Sequence, residues 1–361
     1  MSEWPKTIDC AVIGGGPAGL SAAIYLARYL RTVTVFDAGE SRARWIPASH
    51  NLPGFPEGIS GTSLLQKMEL QAGRFGAGLC KEKVISVERR GENFLLTTQN
   101  CSLIARSILM ATGVVNNRPP MSDRAHSDAL QRGLLRYCPV CDGFEAKNMK
   151  IAVIGCDGHG VSEALFLRRY SSSVTLLTLQ RPNISECDQR ELEETGVTVV
   201  FAPISDIAFE ERTIAITTDL NPNVSLRFDT LYPALGTEAK TSIGAALGLA
   251  TGDDQCLLAD AHQRTTVSGI YAAGDVVLSL DQISVAMGQA AIAATAIHND
   301  LRVRDLDAGA LEVDHSPCTP ARVGRQGPLC APLEVCVEIQ SRAQSGEWFA
   351  IKAAHRAIKA C

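Results

Sequence analysis

The fold turns on Ile8-Asp9-Cys10-Ala11-Val12-Ile13, an apolar run, followed at once by Gly14-Gly15-Gly16-Pro17-Ala18-Gly19 and then by Leu20 to Leu30, which is helical in composition and apolar spacing. The order is strand, glycine turn, helix. Gly14 permits the tight turn, Gly16 lets backbone come against a pyrophosphate, and Gly19 lets the helix pack closely on the strand. The free N–H groups at the helix N-terminus then face the phosphates. A second strand, Thr32 to Phe36, ends at Asp37, eighteen positions beyond Gly19, where a carboxylate can accept hydrogen bonds from a ribose. A bare glycine-rich turn would lack these partners; strand, turn, helix and acid in register specify a dinucleotide site of Rossmann type.

With 361 residues, 46% of them hydrophobic, the chain can bury a full core and has room for two or three domains. A net charge of only -5, with no basic stripe interleaved with aromatics, sets nucleic acid aside as a partner. The apolar runs are too short for a membrane span. The longest, around Ala286 to Ile297, is interrupted by Gly288 and Gln289 and reads as a buried helix. Met1 to Lys6 lacks the pattern of a signal peptide, and twelve cysteines without a spaced framework suit a reducing compartment, so a cytoplasmic protein is expected.

From Ser41 to Gly58 the composition is that of a loop, with Pro47, Pro53 and Pro56 fixing backbone without regular structure. His50 has no visible partner there and reads as packing within the loop. Gly61 to Phe75 predicts an amphipathic helix; Val84 to Glu88, Asn93 to Thr98 and Ser102 to Arg106 predict a small antiparallel sheet, and Ser107 to Thr112 a separate buried strand closed by Gly113. Lys150 to Ile154, Gly155-Cys156-Asp157-Gly158-His159-Gly160 and a helix from Val161 to Tyr170 then repeat the dinucleotide pattern imperfectly. Asp157 stands at the second glycine position and puts a negative charge where a pyrophosphate must approach. The next strand, Ser173 to Leu179, ends in Gln180-Arg181-Pro182, without the arginines that would hold a 2'-phosphate, and His159 reads as a turn histidine. Strands are expected at Val197 to Ala202, Ile204 to Phe209, Thr213 to Thr217 and Leu226 to Tyr232. Gly269 to Asp275 is an apolar strand ending in Gly-Asp, suited to the hydroxyls of a ribityl chain, and a helix is expected from Gln282 through His298.

The chemistry lies in Tyr137-Cys138-Pro139-Val140-Cys141-Asp142-Gly143. Thiols separated by two residues can close a small disulfide ring, and Pro139 fits the first position of a helical turn whose N-terminus stabilises a thiolate at Cys138. Asp142 follows directly, close enough to exchange a proton with a departing sulfur. A zinc centre would need further ligands at comparable spacing; no second C-x-x-C exists, so a redox pair is expected and no metal.

Gly14 to Gly19, Ala111 to Gly113, Cys138 to Gly143 and Tyr271 to Asp275, in this order and spacing, resemble the low-molecular-weight thioredoxin reductases, FAD-dependent disulfide oxidoreductases, over about Asp9 to Leu301. The resemblance implies an α/β protein of two Rossmann-like three-layer ββα domains: an FAD domain split into residues 1–117 and 241–302, and an inserted pyridine-nucleotide-type domain, 118–240, carrying the cysteine pair. It implies FAD contacts from Gly14, Gly16, Pro17, Ala18, Asp37, Asn51, Thr112, Gly113, Gly274, Asp275, Gln282 and Ile283. Cys141 would face the flavin, Cys138 would attack the disulfide of thioredoxin or a similar dithiol protein, and Asp142 would act as the acid. The family is homodimeric and alternates between two domain orientations. NADPH-using members carry GxGxxA and a basic H-R-R-x-x-x-R run in the inserted domain; Asp157 and Thr178-Leu179-Gln180 depart from both. That puts NADPH use in question and leaves the electron donor open among ferredoxin, NAD(P)H and a second flavin. A dithiol oxidase and a non-catalytic flavin redox sensor are the competing readings. Residues 303–361, with Cys318, Cys330, Cys336 and Cys361 among proline and glycine clusters, read as an extension in loop or disorder without catalytic role.

Overall fold

The computed structural model describes residues 7–178 and 183–309. The tail beyond Gly309, with its four cysteines, and the Gln180-Arg181-Pro182 strand end lie outside the described residues.

Strands β1 (Thr7–Ile13), β2 (Val33–Phe36), β3 (Gly78–Cys80), β4 (Ser86–Arg90), β5 (Asn93–Thr97) and β6 (Ser102–Met110) form one sheet in the order β3-β2-β1-β6-β5-β4. The first four in that row run parallel, and β5 and β4 turn back antiparallel. Two strands expected from the sequence are therefore one. β6 spans nine residues: its first half pairs with β5, and its second half, Ile108 to Met110, pairs in parallel with a strand from far along the chain, Ile270–Ala272. β3 had no sequence signal, being three residues long and starting in glycine.

The chain leaves this sheet through β7 (Val114–Asn116) and builds a second one from β8 (Ile151–Ile154), β9 (Val174–Leu177), β10 (Thr198–Val200) and, after an antiparallel trio β11 (Ile204–Phe209), β12 (Ile214–Thr218) and β13 (Ser225–Phe228), β14 (Thr230–Pro233). The second sheet is wholly parallel, in the order β10-β9-β8-β14. The expected strand Leu226 to Tyr232 is split at Asp229, because Ser225–Phe228 pairs with β12 while Thr230–Pro233 pairs with β8; at the break the Asp229 carboxylate accepts the N–H of Lys150 at 2.7 Å. The chain returns through β15 (Thr237–Ala239), antiparallel to β7, and re-enters the first sheet as β16, Ile270–Ala272.

Helices α1 (Pro17–Arg28), α2 (Gly61–Arg74), α3 (Asp123–Gln131), the single turn α4 (Pro139–Asp142), α5 (Gly158–Leu167), α6 (Glu186–Thr195), α7 (Ser242–Ala246) and α8 (Ile283–Asp307), with one 3-10 turn, Arg42–Trp45, inside the stretch expected to be loop, complete the described structure. α1 and α8 pack against each other over one face of the first sheet through Ala22, Ala23, Ala27, Ala290, Ala293 and Ala294; small side chains let the two backbones approach. Phe94, Met110, Val87 and Leu257 fill the opposite face. The second sheet is layered likewise: α5 and α6 bury Val161, Leu167 and Leu192 on one side, while Ile214, Ile216 and Phe228 of the antiparallel trio cover the other. α8 runs nine residues past the expected end at His298, because Leu301 is buried and Asp305 holds Arg31 at 2.7 Å and Arg106 at 2.5 Å.

Candidate active site

In both sheets the strand order reverses beside the first strand, and the crevice beyond the carboxyl ends of the strands is where ligands bind in such folds. In the first sheet that crevice opens into a cavity of about 1250 Å³. Every residue singled out from the sequence as catalytic or cofactor-binding lines it, from Gly14 to Ala18 through Asp37, Asn51, Thr112 and Gly113 to Cys138, Cys141, Asp142, Gly274, Asp275, Gln282 and Ile283.

The residues present fit a dinucleotide. Gly14 has φ +119° and a Cβ there would lie 2.1 Å from the Ala111 carbonyl oxygen; on Gly19 it would lie 1.9 Å from the Gly14 oxygen. Only glycine allows β1, the turn and α1 to meet at this distance. Gly16 is the N-cap of α1 and no side chain caps the helix, so its first N–H groups remain available to an anion. Asp37, 6% exposed, is oriented by the Gly39 N–H at 2.9 Å and the Lys81 ammonium at 3.1 Å. Gly274 turns at φ +82° against Ala18, and Thr112 donates its hydroxyl to the Lys240 carbonyl at 2.8 Å. Arg42 was not expected. Its guanidinium lies 2.7 Å from Asp275 and 3.0 Å from Asp281 and donates to Asn116 at 3.0 Å. Burial and the neighbouring Asp275 push the Asp281 carboxyl up to about 6, with Arg42 opposing them.

The corresponding turn of the second sheet differs. Gly155 and Gly160 keep the close strand–helix contact, a Cβ on Gly155 meeting the Gly160 Cα at 2.7 Å. Asp157, however, caps α5: its carboxylate accepts the N–H groups of His159 at 3.0 Å and Gly160 at 3.4 Å, the donors a phosphate would use. His159 pairs with Glu163 at 3.2 Å, a hydrogen bond that raises its pKa. His50 lies with its ring against Gly58, within its own loop.

Cys138 and Cys141 are joined as a disulfide on the wall of the first cavity. Cys138 is the N-cap of α4, with Pro139 at the first helical position, and its sulfur accepts the Cys141 N–H at 3.2 Å. Across the cavity a polar chain ends on the sulfurs. Ser49 donates to Asn51 at 3.0 Å, Asn51 donates to the Gln282 side-chain oxygen at 2.9 Å, and the Gln282 amide N–H₂ lies 3.3 Å from both sulfurs. Asp142 is held from the second sheet. Tyr232 donates to its Oδ1 at 2.8 Å, and Arg136 lies 3.3 Å from its Oδ2. Burial raises the Asp142 pKa above the ordinary carboxylate range, with Arg136 and Tyr232 only partly offsetting it. Arg136 could have been suspected from its place beside the cysteine motif. Tyr232, in the middle of an apolar strand, carried no signal.

The sequence matches the model of the pyridine nucleotide-disulphide oxidoreductases over residues 8–290. It is 27% identical to a thioredoxin reductase of Peptoclostridium acidaminophilum over 307 residues, 80% of this chain and 95% of that protein. To a thioredoxin reductase of Streptomyces clavuligerus it is 30% identical over 278 residues, 74% of this chain and 85% of that protein. The crystal structure of HlmI superposes with a TM-score of 0.77 at 26% identity, covering 84% of this chain and 95% of that one.

Proposed function

Because the chain belongs to the pyridine nucleotide-disulphide oxidoreductases, in the branch resembling low-molecular-weight thioredoxin reductases, we propose that it moves an electron pair between FAD and a partner dithiol through Cys138 and Cys141. One observation carries this reading: the disulfide lies on the wall of the same cavity as the glycine turn, against Gln282 at the N-terminus of α8. FAD supplies the two-electron acceptor and donor chemistry. The Gly14–Ala18 turn and the N-terminus of α1 would hold its pyrophosphate, Asp37 a ribose, and Asp275, paired with Arg42, the ribityl end. In disulfide reduction the Cys138 thiolate attacks the partner's disulfide, forms the mixed disulfide and expels one partner sulfur. Cys141 then attacks Cys138, releasing the second partner sulfur and restoring the internal disulfide. Asp142, with its raised pKa, holds the proton that a departing thiolate takes, and Arg136 and Tyr232 fix its orientation. A thioredoxin-like protein is the proposed partner; a homodimer, a cytoplasmic setting and the split domain boundaries at about 117 and 240 belong to the same proposal. Among the described residues no helix is long and apolar enough to cross a membrane.

NADPH is not the proposed donor, since Asp157 already occupies the α5 donors. The same observation favours a second reading, a dithiol oxidase in which electrons enter at the cysteines and leave through the flavin to oxygen or another carrier. An anaerobic titration of the flavin absorbance with NADPH, NADH and a reduced dithiol, each added alone, tests both. Bleaching by the dithiol alone is expected. Rapid bleaching by NADPH would overturn the assignment of the donor, and absence of bleaching by the dithiol would overturn the role of the cysteine pair.

A further inference from the structure

At the edge of this cavity, whose lining includes Glu82, the exit of β3 and the turn between β5 and β6 bring Cys80, Glu82 and Cys101 together. Their thiol and carboxylate atoms all lie within 4.8 Å of one another. Cys80 is buried, while Glu82 and Cys101 are half-buried, so the group is open on one side. The local backbone is tied. Asn100 donates its N–H and its side-chain amide to the Glu82 carboxylate at 3.3 and 3.0 Å, and Thr98 brackets Cys101 by accepting its N–H at 3.0 Å. The Cys101 sulfur also has an outer hydrogen-bond partner. The Thr98 hydroxyl lies 3.1 Å from the Cys101 sulfur. Such a contact orients the sulfur, as outer-shell partners do around metal ligands.

We infer that Cys80, Glu82 and Cys101 form a binding site for a thiophilic divalent cation of the Zn²⁺ type, two thiolates and one carboxylate leaving a fourth position to water. Two sulfurs and an oxygen suit Zn²⁺ in both number and softness, and binding releases the two thiol protons. A plain disulfide would account for the two cysteines but not for the carboxylate set beside them. Linear spacing does not reveal the site, because Cys101 reaches it from across a hairpin. The bound cation would brace the far wall of the dinucleotide cavity: the Cys80 carbonyl accepts the Asp37 N–H at 2.8 Å, and Lys81, between the two ligands, pairs with Asp37.

The test is a titration of the full-length, FAD-loaded protein with Zn²⁺, and with Co²⁺ as a coloured probe, in a Cys138→Ser/Cys141→Ser background that removes the catalytic pair as competing thiols. The expected result is one equivalent bound with thiolate-to-Co²⁺ charge transfer. Adding Cys101→Ser should abolish that equivalent, and Glu82→Gln should weaken it by at least the roughly tenfold that even an outer-shell partner is worth. Cys101 packs at the edge of the core and Glu82 on the cavity lining, so an unchanged circular-dichroism spectrum and melting temperature in the absence of metal verify the fold of both variants. Equal binding by the background and both variants would overturn the inference. So would peptide mapping that finds Cys80 and Cys101 bonded to each other in the purified, metal-free protein.

Discussion

Gln282 gives the sharpest prediction. Its amide N–H₂ lies 3.3 Å from each sulfur of the Cys138–Cys141 disulfide, and its oxygen is fixed by Asn51, so the donor faces the sulfurs before any electron arrives. Against a neutral disulfide this contact is weak. As the bond opens, one sulfur becomes a thiolate and the contact becomes charge-assisted, worth about 1.5–3 kcal/mol. That stabilisation develops along the reaction and should appear in its rate. Gln282→Leu is expected to slow opening of the disulfide by roughly 10- to 150-fold, at about 1.4 kcal/mol per factor of ten. Asn51→Ala, which frees the amide to rotate, should cost about fivefold, the equivalent of one neutral hydrogen bond of about 1 kcal/mol. Gln282→Glu keeps the size but sets a carboxylate beside the nascent thiolate, and should be slower than wild type as well. The assay is single-turnover reduction by excess dithiothreitol, quenched with an alkylating reagent and read by mass, on protein checked for full flavin content. Opening of Gln282→Leu at the wild-type rate would refute the argument.

Other consequences are equally open to measurement. Asp142→Asn should lower steady-state dithiol–disulfide turnover by about 10²- to 10⁴-fold, the usual worth of a positioned acid, while the internal disulfide still forms; unchanged turnover would remove Asp142 from the mechanism. Asp281 is raised from 3.8 to about 6, so ionising it costs the fold stability that is retained below about pH 4 and lost above about pH 6. Asp281→Asn should therefore raise the melting temperature at neutral pH and leave it unchanged in acid, and a pH-independent effect would contradict this. Gly14→Ala places a methyl 2.1 Å from the Ala111 oxygen at φ +119°, so purified protein should carry almost no flavin. A normal flavin-to-protein ratio would show that the turn can relax.

The parts legible in the sequence were those whose physics is local. The turn from Gly14 to Gly19 declares itself because sterics act over a few residues, and the cysteine pair because a two-residue spacing closes its own ring. Asp157 could be read as an obstacle to a phosphate, and the structure adds that it does so as a helix cap. What escaped was set by distant chain. Tyr232 reaches Asp142 across 90 positions, and Arg42 reaches Asp275 across 233. β6 looked like two strands because its burial alternates in the first half, where β5 pairs, and becomes continuous in the second, where β16 does. The end of α8 was missed because Asp305 is polar in the sequence but bound to Arg31 and Arg106 in the fold.

The pairing of β7 with β15 has a bearing on biosynthesis. Asn116 sits opposite Thr237, so everything between them leaves and returns through one two-stranded link, separate from the first sheet. As the chain emerges from the ribosome, β1 to β6 can associate early, but the free half-edge of β6 waits for β16, some 160 residues later. In that interval the second sheet is made in full. A nascent chain stalled before Ile270 would therefore present an unpaired strand edge at Ile108 to Met110, all three fully buried in the finished protein, and would be a ready client for chaperones.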